Sequence, residues 1–163
     1  MPQFVDSLNI NGNNYSRINT IIELSSVSFG TYDITQYVKG ITYSQNQDKQ
    51  FDFTLGSHNR PSHFGVGNIT CEGSLSLTDA GLDFLNKVAL ESALPVPSML
   101  YLGQDGNGMF ITVSYTTWND TTKTDTLEYV HFLGYSNGVN TNDVLYTREV
   151  ALLIGKVNIG NIV

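Results

Sequence analysis

Cysteine is almost absent from this 163-residue chain. Cys71 stands alone, which excludes an intramolecular disulfide framework and fits folding under reducing conditions. Long apolar runs are also missing: no stretch approaches the ~18 consecutive apolar residues of a membrane-spanning helix. Met1 to Tyr15 lack the basic segment and apolar run of a signal peptide, so the chain is expected to be soluble and not exported by an N-terminal signal. Charge is scarce, with 14% Asp, Glu, Lys and Arg against about 25% in an average soluble domain. Basic residues are the scarcest, eight against fifteen acidic ones for a net charge of -7. That balance argues against wrapping nucleic acid, whose affinity comes largely from Lys and Arg displacing counterions from phosphates. Internal repeats, low-complexity tracts and Pro-rich linkers are lacking, so residues 1–163 are expected to form a single domain.

What covers the surface instead is uncharged and polar: Asn, Ser and Thr supply 46 residues. Interface cores are depleted of charged side chains, so this surface is suited to meeting protein as well as water. An Asn/Thr-rich all-β protein would show the same composition, and both readings stay open.

Two-residue alternation recurs along the chain and predicts strands. Ile21, Glu23, Ser25, Val27 and Phe29 share one face; Phe51, Phe53 and Leu55 alternate with Asp52 and Thr54. Ile69, Cys71, Gly73, Leu75 and Leu77 form the cleanest such row, which makes Cys71 a small apolar core residue rather than a reactive thiol. Ile111, Val113 and Tyr115 form another row, and Leu127, Tyr129, His131 and Leu133 alternate with Glu128, Val130 and Phe132, the polar segment Asn119 to Thr124 joining the two. A last strand is expected from about Val144 to Val157, covered on both faces near its end, as in a sandwich or closed barrel. One helix is predicted over residues 78–93. Thr78 is its N-cap, Asp79 lies in the first turn, Leu77 staples onto Leu82, and Pro95 and Pro97 block continuation.

No constellation carries convincing chemistry. His58 and His63, with His131 or Glu72, could be combined into a metal site, but ligands in compact metal motifs are more tightly spaced, and loop polarity or interface hydrogen bonding explains them better. Gly103, Gly106 and Gly108 imitate a phosphate loop, yet a strand follows where a phosphate cradle needs a helix, so a turn is predicted. Asp120 and Asp125 fall in a polar turn and are expected to be solvated; no nucleophile elbow is present. The expectation is a protein that is not an enzyme and has no cofactor and no metal.

One ordered pattern is more informative. Gly40-Ile41-Thr42-Tyr43 is followed by an expected turn near Asn46 to Asp48, the strand Phe51 to Leu55, a loop with Gly56, Arg60-Pro61, Gly65 and Gly67, the strand ending Gly73-Ser74-Leu75-Ser76-Leu77, and the helix opened by Thr78. In order and spacing this resembles the tail tube proteins of tailed bacteriophages, whose fold is shared with the inner tubes of contractile injection and type VI secretion machines. The resemblance covers about half of the chain.

The resemblance implies a mainly β fold, a β-sandwich or barrel with one flanking α-helix. It further implies a homo-oligomer of hexameric rings stacked into a tube in a virion tail, assembled in the bacterial host cytoplasm. Double-stranded DNA would pass through non-specifically, and the partners would be a tape measure protein and, where the tail contracts, a sheath. The hairpin from about Tyr37 to Gly56 would line the lumen, with Thr42, Ser44, Asp52 and Thr54 facing the channel and Phe51, Phe53 and Leu55 turned inward. His58, Arg60, Pro61 and His63 in the loop Gly56 to Gly67, and an extended arm over residues 1–17, would reach neighbouring subunits. Two rival readings remain: a β-sandwich carbohydrate-binding or adhesion module using Trp118 and the nine tyrosines, or another tail part such as a terminator or baseplate protein.

Overall fold

A computed structural model of the chain describes residues 7–27, 29–52, 60, 63–92, 98–104, 108–117, 119–135 and 147–162. The strands are β1 (Ser7–Ile10), β2 (Asn13–Ser16), β3 (Thr20–Ser26), β4 (Gly30–Asp33), β5 (Val38–Asp52), β6 (His63–Thr78), β7 (Met109–Thr116), β8 (Thr122–Tyr135), β9 (Thr147–Ile154) and β10 (Lys156–Ile162). The one α-helix among the described residues, α1 (Asp79–Glu91), follows β6 directly. The strands form a continuous sheet in the order β2-β1-β5-β6-β9-β8-β7-β3-β4, with β10 added on β8. Neighbouring strands are antiparallel except β1 and β5. This is the mainly β architecture that the alternation predicts. A single apolar core gathers Ile22, Leu24, Ile41, Leu75, Leu77, Val113, Leu127 and Leu152 with Leu82, Leu85, Val88 and Ala89 of the helix.

The helix forms where its signals place it. Thr78 Oγ1 accepts the Gly81 N–H at 3.2 Å, Leu77 and Leu82 are both buried, and the last helical residue is Glu91. Gly81 lets the first turn close onto Tyr37, whose Cβ would lie 2.7 Å from a Cβ at that position. The Tyr37 ring then stacks on Phe84 at 5.0 Å, and Phe84 meets Tyr32 edge-on.

The structure corrects several expectations. The row Ile21, Glu23, Ser25 faces outward; Thr20, Ile22 and Leu24 take the core side of β3. No turn occurs at Asn46 to Asp48: β5 runs through it, and only a slip of register interrupts the ladder, Gln47 opposing Ile69 and Lys49 opposing Val66. Part of the expected loop Gly56 to Gly67 is strand, since His63 pairs with Asp52 and Gly65 with Gln50. The arm expected over 1–17 is a folded hairpin from Ser7 onward. Leu8 and Ile10 are buried, and Asn11-Gly12 turns with φ of 50° and 87°, both left-handed as a tight two-residue turn requires. The last strand divides at Gly155 into β9 and β10, and one face only is covered: Val150, Leu152 and Ile154 are buried while Ala151 and Leu153 are exposed.

The most instructive departure lies in β8. Leu127, Tyr129, His131 and Leu133 do not share a face, because Tyr129 adopts φ 58° and the pairing slips there: Ile111 opposes Leu127, and Met109 opposes Val130. The extra residue inverts the alternation, so Val130 and Phe132 join Leu127 inside while Tyr129 and Leu133 point out. At the same residue β8 changes partners, from β7 and β10 on its N-terminal half to β9 on its C-terminal half. Gly155 makes room: its N–H donates to the Glu128 carbonyl at 3.0 Å, and a Cβ there would lie 2.8 Å from that of Tyr129.

Gly73 sits mid-strand in β6, and a Cβ there would lie 2.6 Å from the Thr42 carbonyl oxygen and 2.8 Å from Ile154 Cδ1. Because the first neighbour is backbone in a paired strand, Gly73→Ala is expected to lower the unfolding free energy by about 1–3 kcal/mol, measured by urea denaturation; a change within ±0.5 kcal/mol would refute the close approach.

Candidate assembly interface

Beyond the core, β5 and β6 continue as a two-stranded ribbon. Tyr43 is the last buried residue of β5; from Ser44 to Phe51 its residues are exposed, as are those of β6 from Gly65 to Thr70. The ribbon stays paired through Asp52 and His63, but β1 accompanies β5 only to Ile41, and β9 accompanies β6 only from Cys71 on. Among the described residues, both outer edges of the ribbon therefore lack a strand neighbour. An isolated two-stranded ribbon is marginal in water, and this one also exposes Phe51 (68%), Val66 (53%) and Ile69 (55%). The inward Phe51 of the sequence reading is thus corrected: the core ends at Tyr43, so alternation past it has no interior to face. Phe53 and Leu55 lie outside the described residues.

The root of the ribbon is held from two sides. On its edge, Asn11 in the β1–β2 turn donates its N–H to the Ile41 carbonyl at 3.0 Å, and its Oδ1 accepts the Tyr43 N–H at 2.8 Å. From within, the Tyr43 hydroxyl donates to Asp125 Oδ2. The same oxygen accepts from the Tyr115 hydroxyl at 3.2 Å, and Asp125 Oδ1 accepts the Gly160 N–H at 2.9 Å. Asp125 was expected in a solvated turn, yet it is buried in β8. Its place two residues before Leu127 is the signal that could have found it. Burial, reinforced by the hydrogen bond to Asp125, holds the Tyr43 phenol well above its ordinary range. Burial and the Asp125 charge push Tyr115 up to about 12.

At the other margin of the same face, β8 from His131 to Tyr135 is paired with β9, while β7 reaches only to Val130. This margin too lacks a strand neighbour among the described residues. Between the two margins lies a four-stranded face, β5-β6-β9-β8, whose register sets Ser44, Glu72, Leu153 and His131 in one row and Thr42, Ser74, Ala151 and Gly134 in the next. Thr42 Oγ1 and Ser74 Oγ lie 2.8 Å apart. Leu153 is 50% exposed.

The predicted site residues divide accordingly. Thr42 and Ser44 are exposed together on this face; Asp52 ends β5 at the far end of the ribbon, and Thr54 lies outside the described residues. Arg60 is exposed beyond the ribbon, His63 opens β6, and His58 and Pro61 lie outside the described residues. His131 and Glu72 share a row but are separated by Leu153, and no group of three or more His, Cys, Asp or Glu among the described residues could hold a metal ion. Gly103 and Gly108 take φ of 81° and 93° and are joined by a 3.1 Å backbone hydrogen bond, a turn into β7.

No family model matches the sequence, and no curated protein sequence matches it. Solved structures do match. A chain of the anti-feeding prophage baseplate superposes with a TM-score of 0.61 at 9% identity, over 86% of this chain and 91% of that one. A chain of the sheath–tube complex of an extracellular contractile injection system, PVC, gives 0.51 at 11% identity over 89% of each. The chain shares the fold of these injection-system components. A chain of the anti-feeding prophage's tube-terminating cap matches this fold over 99% of each chain, with a TM-score of 0.50 at 11% identity. At 9–11% identity the likeness lies in the backbone plan and not in particular side chains.

An alkaline titration tests the Asp125 cluster. The folded chain keeps the Tyr115 proton up to about 12, whereas the unfolded chain releases it near 10.0. Above 10 the unfolded state therefore binds fewer protons, and stability falls as pH rises toward 12. Tyr43 acts in the same direction. Denaturation midpoints are expected to fall across this window, with Tyr115→Phe flattening the fall; equal slopes in both proteins would contradict the arrangement.

Proposed function

We propose that the chain is a structural subunit of a viral tail tube, forming hexameric rings that stack around a channel through which the genome leaves. The observation that carries this reading is the pair of margins flanking the four-stranded face that lack a strand partner among the described residues. Strand direction alternates across β5, β6, β9 and β8, so β8 runs antiparallel to β5. A neighbour's β5, past Ile41, can then lie beside β8 from His131 to Tyr135 in the same antiparallel sense. An even number of strands per subunit lets the pattern repeat head to tail until a ring closes, which removes every edge. The exposed apolar residues of the ribbon would meet the neighbour's surface.

The face β5-β6-β9-β8 then becomes the channel wall. Thr42, Ser44, Ser74 and Ser76 supply hydroxyls and Glu72 and Glu149 negative charge, and in this reading Asp52 and Thr54 would face the channel as well. Such a wall offers few cations to exchange against phosphate counterions, so double-stranded DNA would slide without being held. Arg60, with His58, Pro61, His63 and the first residues of the chain, would contact neighbouring subunits or rings in this reading. A tape measure protein and a sheath would be the partners. This role asks for no catalysis.

A second reading places the same ring at an end of the tube. The similarity to chains of a baseplate and of a tube-terminating cap favours it, and the position of the protein in an imaged particle separates the two.

Electron microscopy of the concentrated chain is expected to show rings or tubes, and the double substitution Phe51→Lys with Val66→Lys is expected to abolish them. Because both side chains are solvent-facing in the subunit, the melting temperature should be nearly unchanged. A monomer at all concentrations, or rings that survive both lysines, would count against the reading.

A further inference from the structure

Tyr43 is the point where the ribbon leaves the core, and its hydroxyl ends on a carboxylate that two other strands also use. Asp125 on β8 accepts from Tyr43 on β5, from Tyr115 on β7 at 3.2 Å and from the Gly160 N–H on β10 at 2.9 Å. The last contact depends on an irregularity: β10 slips register against β8 between Asn158 and Asn161, and Gly160 takes φ 77°. A regular ladder would aim that N–H at the neighbouring strand and not at the interior. The departure in β10 thus coincides with the one buried carboxylate among the described residues. Asn11 holds the opposite side of Tyr43 through the backbone, so the ribbon root is gripped on its edge by β1–β2 and within by Asp125.

We infer that Asp125 is a positioning residue which clamps the root of the ribbon and couples it to the C-terminal strand, so that a disturbance of β10 at Gly160 is transmitted to β5 at Tyr43. Of the three donors, Gly160 is the farthest from the ribbon in sequence and the one that donates from its backbone. Space around it is open: nothing lies within 4 Å of a Cβ built there. Gly160→Ala therefore acts through the backbone angle, which an L side chain tolerates poorly, and not through a clash. The consequence for assembly rests on the tube reading; the clamp itself does not.

Hydrogen exchange followed by mass spectrometry on the full-length chain tests the clamp, comparing the parent with Tyr43→Phe, Gly160→Ala and the double variant. Either single substitution is expected to speed exchange at residues 41–45 and their partners 71–75 by about five- to tenfold, the loss of one buried hydrogen bond. Exchange in α1 and β3 should stay at the parent rate. The double variant should exchange at the root no faster than the quicker single one, because both cut the same connection. Multiplying effects in the double variant, an even rise over the whole chain, or an unaltered root in Gly160→Ala would each overturn the coupling. Should Tyr43→Phe not fold, Tyr115→Phe removes the neighbouring donor on the same carboxylate oxygen and carries the same expectations. Imaging the same samples keeps the two readings apart: a loosened root with rings lost supports both, whereas a loosened root with rings intact leaves the clamp standing and removes the ribbon from the ring joint.

Discussion

Peptide groups at the rim of a sheet need partners, and a strand that runs past its own core has nothing beneath it to keep water away. That constraint governs this chain. Its fold satisfies the backbone of most strands within one sheet, then extends β5 and β6 some distance further with side chains on both faces in solvent. The ribbon has its backbone ladder and one cross-strand bond from Gln47 Nε2 to the Gly67 carbonyl at 3.1 Å, but its ladder slips near Asp48, Gly65 and Gly67 lie in one strand, and its large apolar residues are exposed. A protein that functioned alone would gain by shortening it. In the proposed ring, the covering layer and the edge partners that the described residues do not supply would come from other copies.

The rest of the architecture aims this extension. The turn at Asn11-Gly12 and the buried carboxylate at Asp125 both converge on Tyr43, where β5 departs, while the helix is seated on Tyr37 at the start of the same strand. Tyr129 extends the same logic to the other margin. A tyrosine in left-handed backbone costs roughly 1–2 kcal/mol, and here that strain lets one strand serve two parts of the sheet and present His131 to Tyr135 at the rim. The structure thus invests in the direction of these two margins, which lack a strand partner among the described residues, more than in their own stability.

Much of this plan was legible in the residues, and the gaps have physical causes. The rows Cys71-Leu75-Leu77 and Ile111-Val113 read correctly because they lie over the middle of the core, where alternation and burial coincide. The helix read correctly because Thr78, Leu77 and Leu82 are local signals. Phe51 misled because alternation reports only that a strand is two-sided; whether one side is covered depends on how far the opposing layer reaches. Leu133 misled because a single left-handed residue four positions earlier inverted the phase, and tyrosine gives no hint of that conformation. Asp125 misled because a carboxylate among threonines resembles a solvated turn, and its donors come from strands distant in sequence. Of the candidate site, the hydroxyl face at Thr42 and Ser44 was visible, while the rim of β8 was not, since being unpaired is a property of the sheet and not of a segment.

Cys71 has a bearing on how such an object would be built. It is buried against the core, and the chain has no other thiol. Copies of this protein consequently have no means of cross-linking covalently through sulfur, and each joint between them would rest on many weak, reversible contacts. A misplaced copy could then dissociate before the next one locks it in, so fidelity over a long polymer would come from proofreading by exchange and permanence only from the number of neighbours finally engaged.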